Sequence, residues 1–375
     1  MRGEITMSAA GLEGVVATQS GISSIIDGVL TYRGINIDEL AKYASFEEVV
    51  FLLWNDELPS KEELTELRKD LAQQGLLPDE VILLMKALPK NTHPMAMLRT
   101  VVSALEMYDP DAYDMSYEAN RRKALKIQAK ISTVVAAIHR VKEGKEILSP
   151  KPEFSFAQNF LYMLNGEKPE ELAIKSLDTA LVLHADHELN ASTFASRVTV
   201  GTLANIYAGI VSAIGTLSGP LHGGANEAVM KMLEEIGEVE NVDAYIYEAL
   251  VKKKKIMGFG HRVYKTGDPR AKFLKSMSKR LTALTGQGKL FEMSVKIDDI
   301  IQKEKGLLPN VDFYSASTYY SLGIPSELFT PIFAVSRTSG WTAHILEQYA
   351  NNRLIRPRAE YIGSPLRKYV PIEER

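Results

Sequence analysis

Seven histidines are spread over the 375 residues, and four of them, in three stretches, stand where proton chemistry could be done. His222 lies in Gly219-Pro220-Leu221-His222-Gly223-Gly224, just ahead of a helix that the pattern starts near Gly224. An imidazole at a helix N-terminus faces the positive end of the dipole, which opposes its protonation. The neutral ring can then donate an N–H to a developing oxyanion. The plain alternative is a loop histidine among structural glycines. His261 closes Gly258-Phe259-Gly260, with Lys252 to Lys255 before it and Arg262 and Lys265 after it. Glycines let the backbone approach a ligand closely. The phosphate-loop pattern fails because no glycine precedes Lys265, and the dinucleotide pattern fails because Val263 stands in place of its third glycine. A phosphorylated ligand held by another kind of loop fits this stretch, while the four lysines taken alone read as a solvated helix end.

The third feature is His184-Ala185-Asp186-His187-Glu188. Two histidines three apart on a helix can share a metal, although neither an HExxH nor a di-iron carboxylate spacing accompanies them. A hydrogen-bonded pair of helix histidines is the commoner outcome, and no metal site is assigned. Asp312, in Pro309-Asn310-Val311-Asp312-Phe313, precedes a helical run and so has an ordinary role open to it as an N-cap. Arg337 and Arg356 lie in turn-like or extended surroundings where a guanidinium fork can grip a carboxylate in bidentate fashion. Surface ion pairing is the ordinary reading of either.

Composition limits what these residues can be used for. With 45% hydrophobic and 24% charged residues the chain is of ordinary globular type. Its 44 basic and 47 acidic residues give a net charge of −3, so no whole-protein field attracts nucleic acid or an anionic membrane. Any anionic ligand must be held locally. Cysteine is absent, which leaves imidazole, carboxylate, hydroxyl and lysine for chemistry. The first residues carry no apolar core of a secretory signal before Glu13, so a cytoplasmic location is the expectation. Val198 to Leu221 runs uncharged, but Asn205, Tyr207 and its many small residues suit close helix packing inside a protein better than lipid.

The elements that must position these groups are mainly helices. Ser45 with Glu48 and Ser60 with Glu63 match the capping-box pattern, and Leu64, Leu67 and Leu71 share a face before Gly75. Further helices are predicted near 79–88, 94–107, 117–142, 154–164, 169–187, 191–214, 224–236, 242–254, 269–285, 290–304, 314–321 and 339–350. Asp27-Gly28 between apolar pairs predicts one small N-terminal β-hairpin. The length suggests two domains. The Gly-Pro breaks at Gly219-Pro220 and Gly323-Ile324-Pro325 divide it into a discontinuous large helical domain, 1–218 with 323–375, and an inserted smaller one, 219–322.

Taken as a set, GPLHGGANE, GFGHRVYKTGDPRA, NVDFYSA and SRTSGWTAHILEQ, with HADHELNAS and THPMAMLR upstream, resemble the citrate synthase family. The likeness runs from about Leu12 to the C-terminus, and it is nearest the short, dimeric type of Gram-positive bacteria and archaea. Residues 1–6 match nothing in it and read as a leader or an alternate start. The resemblance implies a two-domain, almost wholly helical fold that closes over oxaloacetate and creates an acetyl-CoA site. It implies that Asp312 is the base removing the methyl proton, that His222 donates to the thioester oxygen and that His261 is the acid toward the ketone. A carboxylate is too weak a base to remove that proton unless the enolate oxygen is stabilised as the proton leaves. The resemblance further implies oxaloacetate contacts by His187, Arg270, Arg337 and Arg356, the last reaching the partner's site in a homodimer. The backbone of Lys255, Ile256, Met257, Gly258, Phe259 and Gly260 would hold the adenine region of coenzyme A, and Lys265 or Arg262 a phosphate. The thioester is a substrate, and no permanently bound cofactor is expected. The rivals are a 2-methylcitrate synthase taking propionyl-CoA, a metal-dependent hydrolase built on His184 and His187, and a non-catalytic helical scaffold.

Overall fold

The computed structural model describes residues 10–12, 14–261, 263–264 and 267–375. Residues 1–6, Arg262 and Lys265, singled out above, lie outside that set. The hairpin forms where expected: β1 (Ser23–Ile26) pairs antiparallel with β2 (Val29–Tyr32), and a short β3 (Ile35–Asn36) extends it. Ile26 faces Val29 across Asp27 and Gly28, whose φ values of 51° and 79° suit the tight, right-twisting turn. Leu30 and Tyr32 bury the inner face against helices.

Helices make up the rest of the regular structure. Before residue 219 the chain forms α1 (Ile37–Tyr43), α2 (Phe46–Asn55), α3 (Lys61–Gln74), α4 (Asp79–Ala87), α5 (Pro94–Leu105), α6 (Tyr117–Lys142), α7 (Phe156–Asn165), α8 (Glu171–His184), α9 (Ala191–Val200) and α10 (Ile206–Leu217). Both capping boxes are complete, with Ser45 and Ser60 each accepting from the third helical N–H and Glu48 and Glu63 reaching back. One expectation fails here. The single helix predicted over 191–214 is two, because Asn205 caps α10 by accepting from Ala208 N–H at 3.1 Å, and Leu203 turns the chain at a φ of 67°. The small residues do allow close packing, since a β-carbon at Gly209 would lie 2.6 Å from Val200 Cγ1 and 3.0 Å from Ile345 Cδ1. No described helix is long and apolar enough to cross a membrane.

After His222 come α11 (Ala225–Ile236), α12 (Val242–Val251), α13 (Ala271–Leu284), α14 (Gly288–Lys305) and α15 (Val311–Ser321), which pack mostly on one another. The chain then returns as α16 (Phe329–Ala350), a helix buried on nearly every side against α2, α6, α8, α9 and α10. Its run of Ser, Thr and Gly near Arg337 reads locally as a turn, yet burial all round overrides that weak preference. Arg337 therefore sits mid-helix, not in a turn. From Asn351 to the C-terminus the chain is irregular apart from one short 3₁₀ turn, and Leu354, Tyr361, Ile362, Leu366 and Tyr369 are exposed along it.

Candidate active site

A pocket of about 590 Å3 opens where the starts of α11 and α15 and the loop residues 255–261 meet the turn between α8 and α9 and the middle of α16, and it is lined by His187, His222, His261, Arg270, Asp312 and Arg337. Six side chains singled out in the sequence are thus brought together from five separate stretches of chain. Backbone pairing explains how the loop is held. Gly260 N–H donates to Leu308 O at 2.9 Å, Asn310 N–H to Gly258 O at 2.9 Å, and Asn310 Nδ2 to Gly260 O at 3.0 Å. Gly258 has a φ of 84°, and a β-carbon there would lie 2.9 Å from Phe313. The loop carrying His261 is therefore sewn to the segment that starts α15 and carries Asp312.

His261 and His222 are neutral, and each has a defined proton. Val263 N–H at 3.0 Å and Tyr264 N–H at 3.2 Å both donate to His261 Nδ1, so the ring proton resides on Nε2. Burial lowers its pKa to about 4, assisted by the Arg270 charge. His222 Nε2 faces Ser192, whose backbone N–H lies at 3.3 Å and whose hydroxyl lies at 2.8 Å. The backbone N–H can only donate, so Nε2 accepts and Nδ1 carries the proton. Trp341 Nε1 donates to the same hydroxyl at 3.1 Å and fixes it. Gly224 precedes the first turn of α11, as the sequence suggests, but burial is the first cause of the fall of His222 to about 4, and the Arg337 charge is the second.

Asp312 is not the N-cap of its helix. Asn310 takes that role, accepting from Asp312 N–H at 3.0 Å, so the aspartate occupies the first turn with its carboxylate turned to other use. That carboxylate makes no hydrogen bond among the described residues. Burial pushes its pKa up to about 7, opposed by the Arg270 and Arg337 charges. A carboxyl group so placed is a stronger base than one in water and is still half ionised near neutrality.

The two guanidiniums differ. Asp268 holds Arg270 in a bidentate pair, accepting from Nε at 2.9 Å and from a terminal nitrogen at 2.8 Å, and raises its pKa. Arg337 has no carboxylate within ion-pair distance among the described residues. Its Nε donates to His184 O at 2.8 Å, the plane lies 4.7 Å from the Phe333 ring centre, and burial lowers its pKa to about 10. A buried cation without a paired anion is costly, and an anionic ligand in the pocket removes that cost. His187 Nε2 shares a hydrogen bond of 3.1 Å with the Tyr264 hydroxyl, and burial holds the ring neutral.

His184 and His187 do not converge on one point. His184 Nδ1 donates to Ala180 O at 2.7 Å and the ring rests on Phe333, while His187 faces His261 and Tyr264. Among the described residues no group of His, Asp and Glu has the placement of a metal site. Lys255, Met257, Gly258, Phe259 and Gly260 line the main pocket, and Ile256 lines a neighbouring one of about 220 Å3 with Lys231, Tyr245 and Lys254. Arg356 is absent from the main pocket and lies in a separate groove with Arg197, Glu347 and Arg353. Two residues with no role assigned from sequence help to build the site. Ser192 orients His222, and Asp268 also accepts from Val311 N–H at 3.1 Å, tying Arg270 to the start of α15. Both stand inside quoted motifs, but a positioning contact across the fold leaves no local pattern to read.

Fold and pocket together define a helical enzyme of acid–base chemistry with a site for an anion. The family model described as citrate synthase, C-terminal domain, matches residues 11–358. Citrate synthase 2 of Bacillus subtilis is 61% identical, covering 97% of this chain and 98% of its own, and the citrate/2-methylcitrate synthase of the same organism is 42% identical, covering 94% and 96%. A solved structure of citrate synthase from Thermoplasma acidophilum, a ternary complex with carboxymethyl coenzyme A and oxaloacetate, superposes with a TM-score of 0.92 at 36% identity, covering 97% of this chain and 98% of that one. The chain belongs to the citrate synthase family.

Proposed function

We propose that this pocket condenses acetyl-CoA with oxaloacetate and hydrolyses the citryl-CoA formed, with Asp312, His222 and His261 as its acid–base residues. The observation that carries the reading is one pocket holding two neutral imidazoles of fixed tautomer and one carboxylate of raised pKa beside two buried guanidiniums. Arg337, Arg270 and His187 take the carboxylates of oxaloacetate. Asp312 removes a proton from the acetyl methyl group while the His222 N–H stabilises the enolate oxygen. The enolate carbon attacks the ketone carbon, and His261 Nε2–H supplies the proton to the ketone oxygen. Water then cleaves the thioester, releasing citrate and the thiol of coenzyme A. The backbone of residues 255–260 holds the adenine region of coenzyme A.

A free-thiol release assay with a panel of acyl-CoAs tests this directly. Release requires oxaloacetate and acetyl-CoA together, and no release with any acyl-CoA overturns the reading. The 2-methylcitrate alternative differs by one methylene, worth only about 1 to 3 kcal/mol in a pocket, so the ratio of specificity constants for acetyl- and propionyl-CoA decides it.

Two further features complete the proposal. Residues 219–322 act as a smaller domain that closes on oxaloacetate, and X-ray scattering that shows no compaction on its addition overturns closure. The chain works as a homodimer in which Arg356 enters the partner's site, a reading supported by its place outside this chain's own pocket and by the exposed apolar side chains of 351–375. Asp312→Ala and Arg356→Ala proteins, each nearly inactive, regain activity when their subunits exchange. No recovery after demonstrated exchange overturns the shared site.

A further inference from the structure

We propose that His344 is a positioning residue for oxaloacetate, acting through Asp186 on the turn that presents His187 to the pocket. The inference rests on the function proposed above.

Arg337, Gly340 and His344 recur along α16 at spacings of three and four, and so share one face. Each holds a successive residue of the same turn. Arg337 Nε donates to His184 O at 2.8 Å, Gly340 N–H to Ala185 O at 3.2 Å, and His344 Nε2 to Asp186 Oδ2 at 3.2 Å. Gly340 is required for the approach, since a β-carbon there would overlap Asp186 Oδ1 and the Ala185 carbonyl.

The direction of the His344 bond is fixed by its other neighbour. Arg197 can only donate, and its terminal nitrogen lies 3.1 Å from His344 Nδ1, so the ring proton is on Nε2 and points at Asp186. Arg197 is itself held by Glu347 Oε2 at 2.5 Å and Gln348 Oε1 at 3.0 Å. From the opposite side Ser23 of β1 donates its hydroxyl to Asp186 Oδ2 and accepts Glu188 N–H at 2.9 Å. The residues on either side of His187 are therefore pinned, one by α16 and both by β1.

The carboxylate of Asp186 is wholly buried, and its Oδ1 has no partner among the described residues. A buried charge with few donors depends on each of them, so losing the His344 N–H frees the turn or neutralises the aspartate. Either result displaces His187. His222, His261 and Asp312 belong to other segments, so the loss is expected first in oxaloacetate binding and only secondarily in the chemical step.

The test is steady-state kinetics with oxaloacetate varied at saturating acetyl-CoA. His344→Leu raises KM for oxaloacetate by about tenfold or more while kcat stays within about threefold. His344→Gln, which can accept from Arg197 and donate to Asp186 through its amide, keeps KM within about threefold of wild type. Ser23→Ala removes the opposing donor and raises KM in the same way, so the proposal stays testable if His344→Leu does not fold. An unchanged KM in a folded His344→Leu or Ser23→Ala protein overturns it, and so does a Gln variant as impaired as the Leu variant. Wild-type protein without oxaloacetate-dependent thiol release overturns the proposed function, and the inference with it. Active wild type with indifferent variants overturns the inference alone.

Discussion

Asp312 and Asp178 are both pushed above the usual carboxylate range by burial, yet their surroundings give them opposite uses. Asp178 stands on α8 beside Glu47 of α2. Its Oδ1 accepts Phe46 N–H at 3.0 Å, while Glu47 Oε1 accepts Phe156 N–H at 3.0 Å and Arg68 Nε at 3.1 Å. These two carboxylates satisfy the first N–H groups of α2 and α7, which the helices cannot satisfy themselves. Asp312 instead keeps its oxygens free of the protein and faces a cavity that two guanidiniums share. A raised pKa is thus common to structural and chemical sites, and the open cavity with unpaired positive charge separates them.

The sharpest way to break this comparison is to make the same isosteric change at both places. Asp312→Asn lowers kcat about a thousandfold, within the range expected for loss of a positioned base, and Asp178→Asn leaves it within about twofold. The pH profile carries the same distinction. The base works ionised, so kcat/KM climbs tenfold per unit below a pKa of about 7 and levels off above it. His222 and His261, both held near 4, add no second limb around neutrality. A profile governed by a group near 6.5 that survives in Asp312→Asn points to an imidazole base instead.

A smaller effect is expected from the charges that face each aspartate. Arg337→Gln lowers kcat/KM for oxaloacetate by about a hundredfold, the scale for removing one partner of a buried charge contact. Arg68→Gln, beside Glu47 and Asp178, leaves kcat/KM unchanged because no ligand meets it. Equal losses at the two arginines would erase the difference between the clusters.

What could be read from the sequence follows the range of the interactions involved. The Asp27-Gly28 turn and the two capping boxes are set within a few residues, so pattern suffices. The break between α9 and α10 is hidden although Asn205 is a good cap, because the uncharged run around it masks the boundary. The start of α16 is hidden for the opposite reason: a locally turn-like run is helical because other helices bury it. For the site, the motifs as a set indicated which residues meet, and the structure places six of them around one pocket. The neutrality of His222 was legible, but its leading cause is burial, which no local pattern displays. Ser192 and Asp268 act across 30 and 43 residues and were not assigned.

The smallest prediction concerns stability, and here the two aspartates should behave alike. For Asp178, burial and then the Glu47 charge raise the folded-state pKa above the unfolded value near 3.8. The folded state therefore holds the proton more tightly, and stability falls as pH rises from the unfolded pKa through the folded one. Asparagine cannot ionise, and its Oδ1 still accepts Phe46 N–H. Asp178→Asn thus raises the apparent Tm by about 2 to 4 °C near pH 8 and by less near pH 5, as thermal unfolding at the two pH values checks. Asp312→Asn shows a gain of the same sign, since burial leads its shift too, although it is the variant that loses catalysis. A Tm gain that ignores pH would mean that shape, not ionisation, is what the substitution relieves. A gain confined to Asp178 would mean that the two guanidiniums compensate the Asp312 charge, so that keeping an ionisable base there costs the fold nothing.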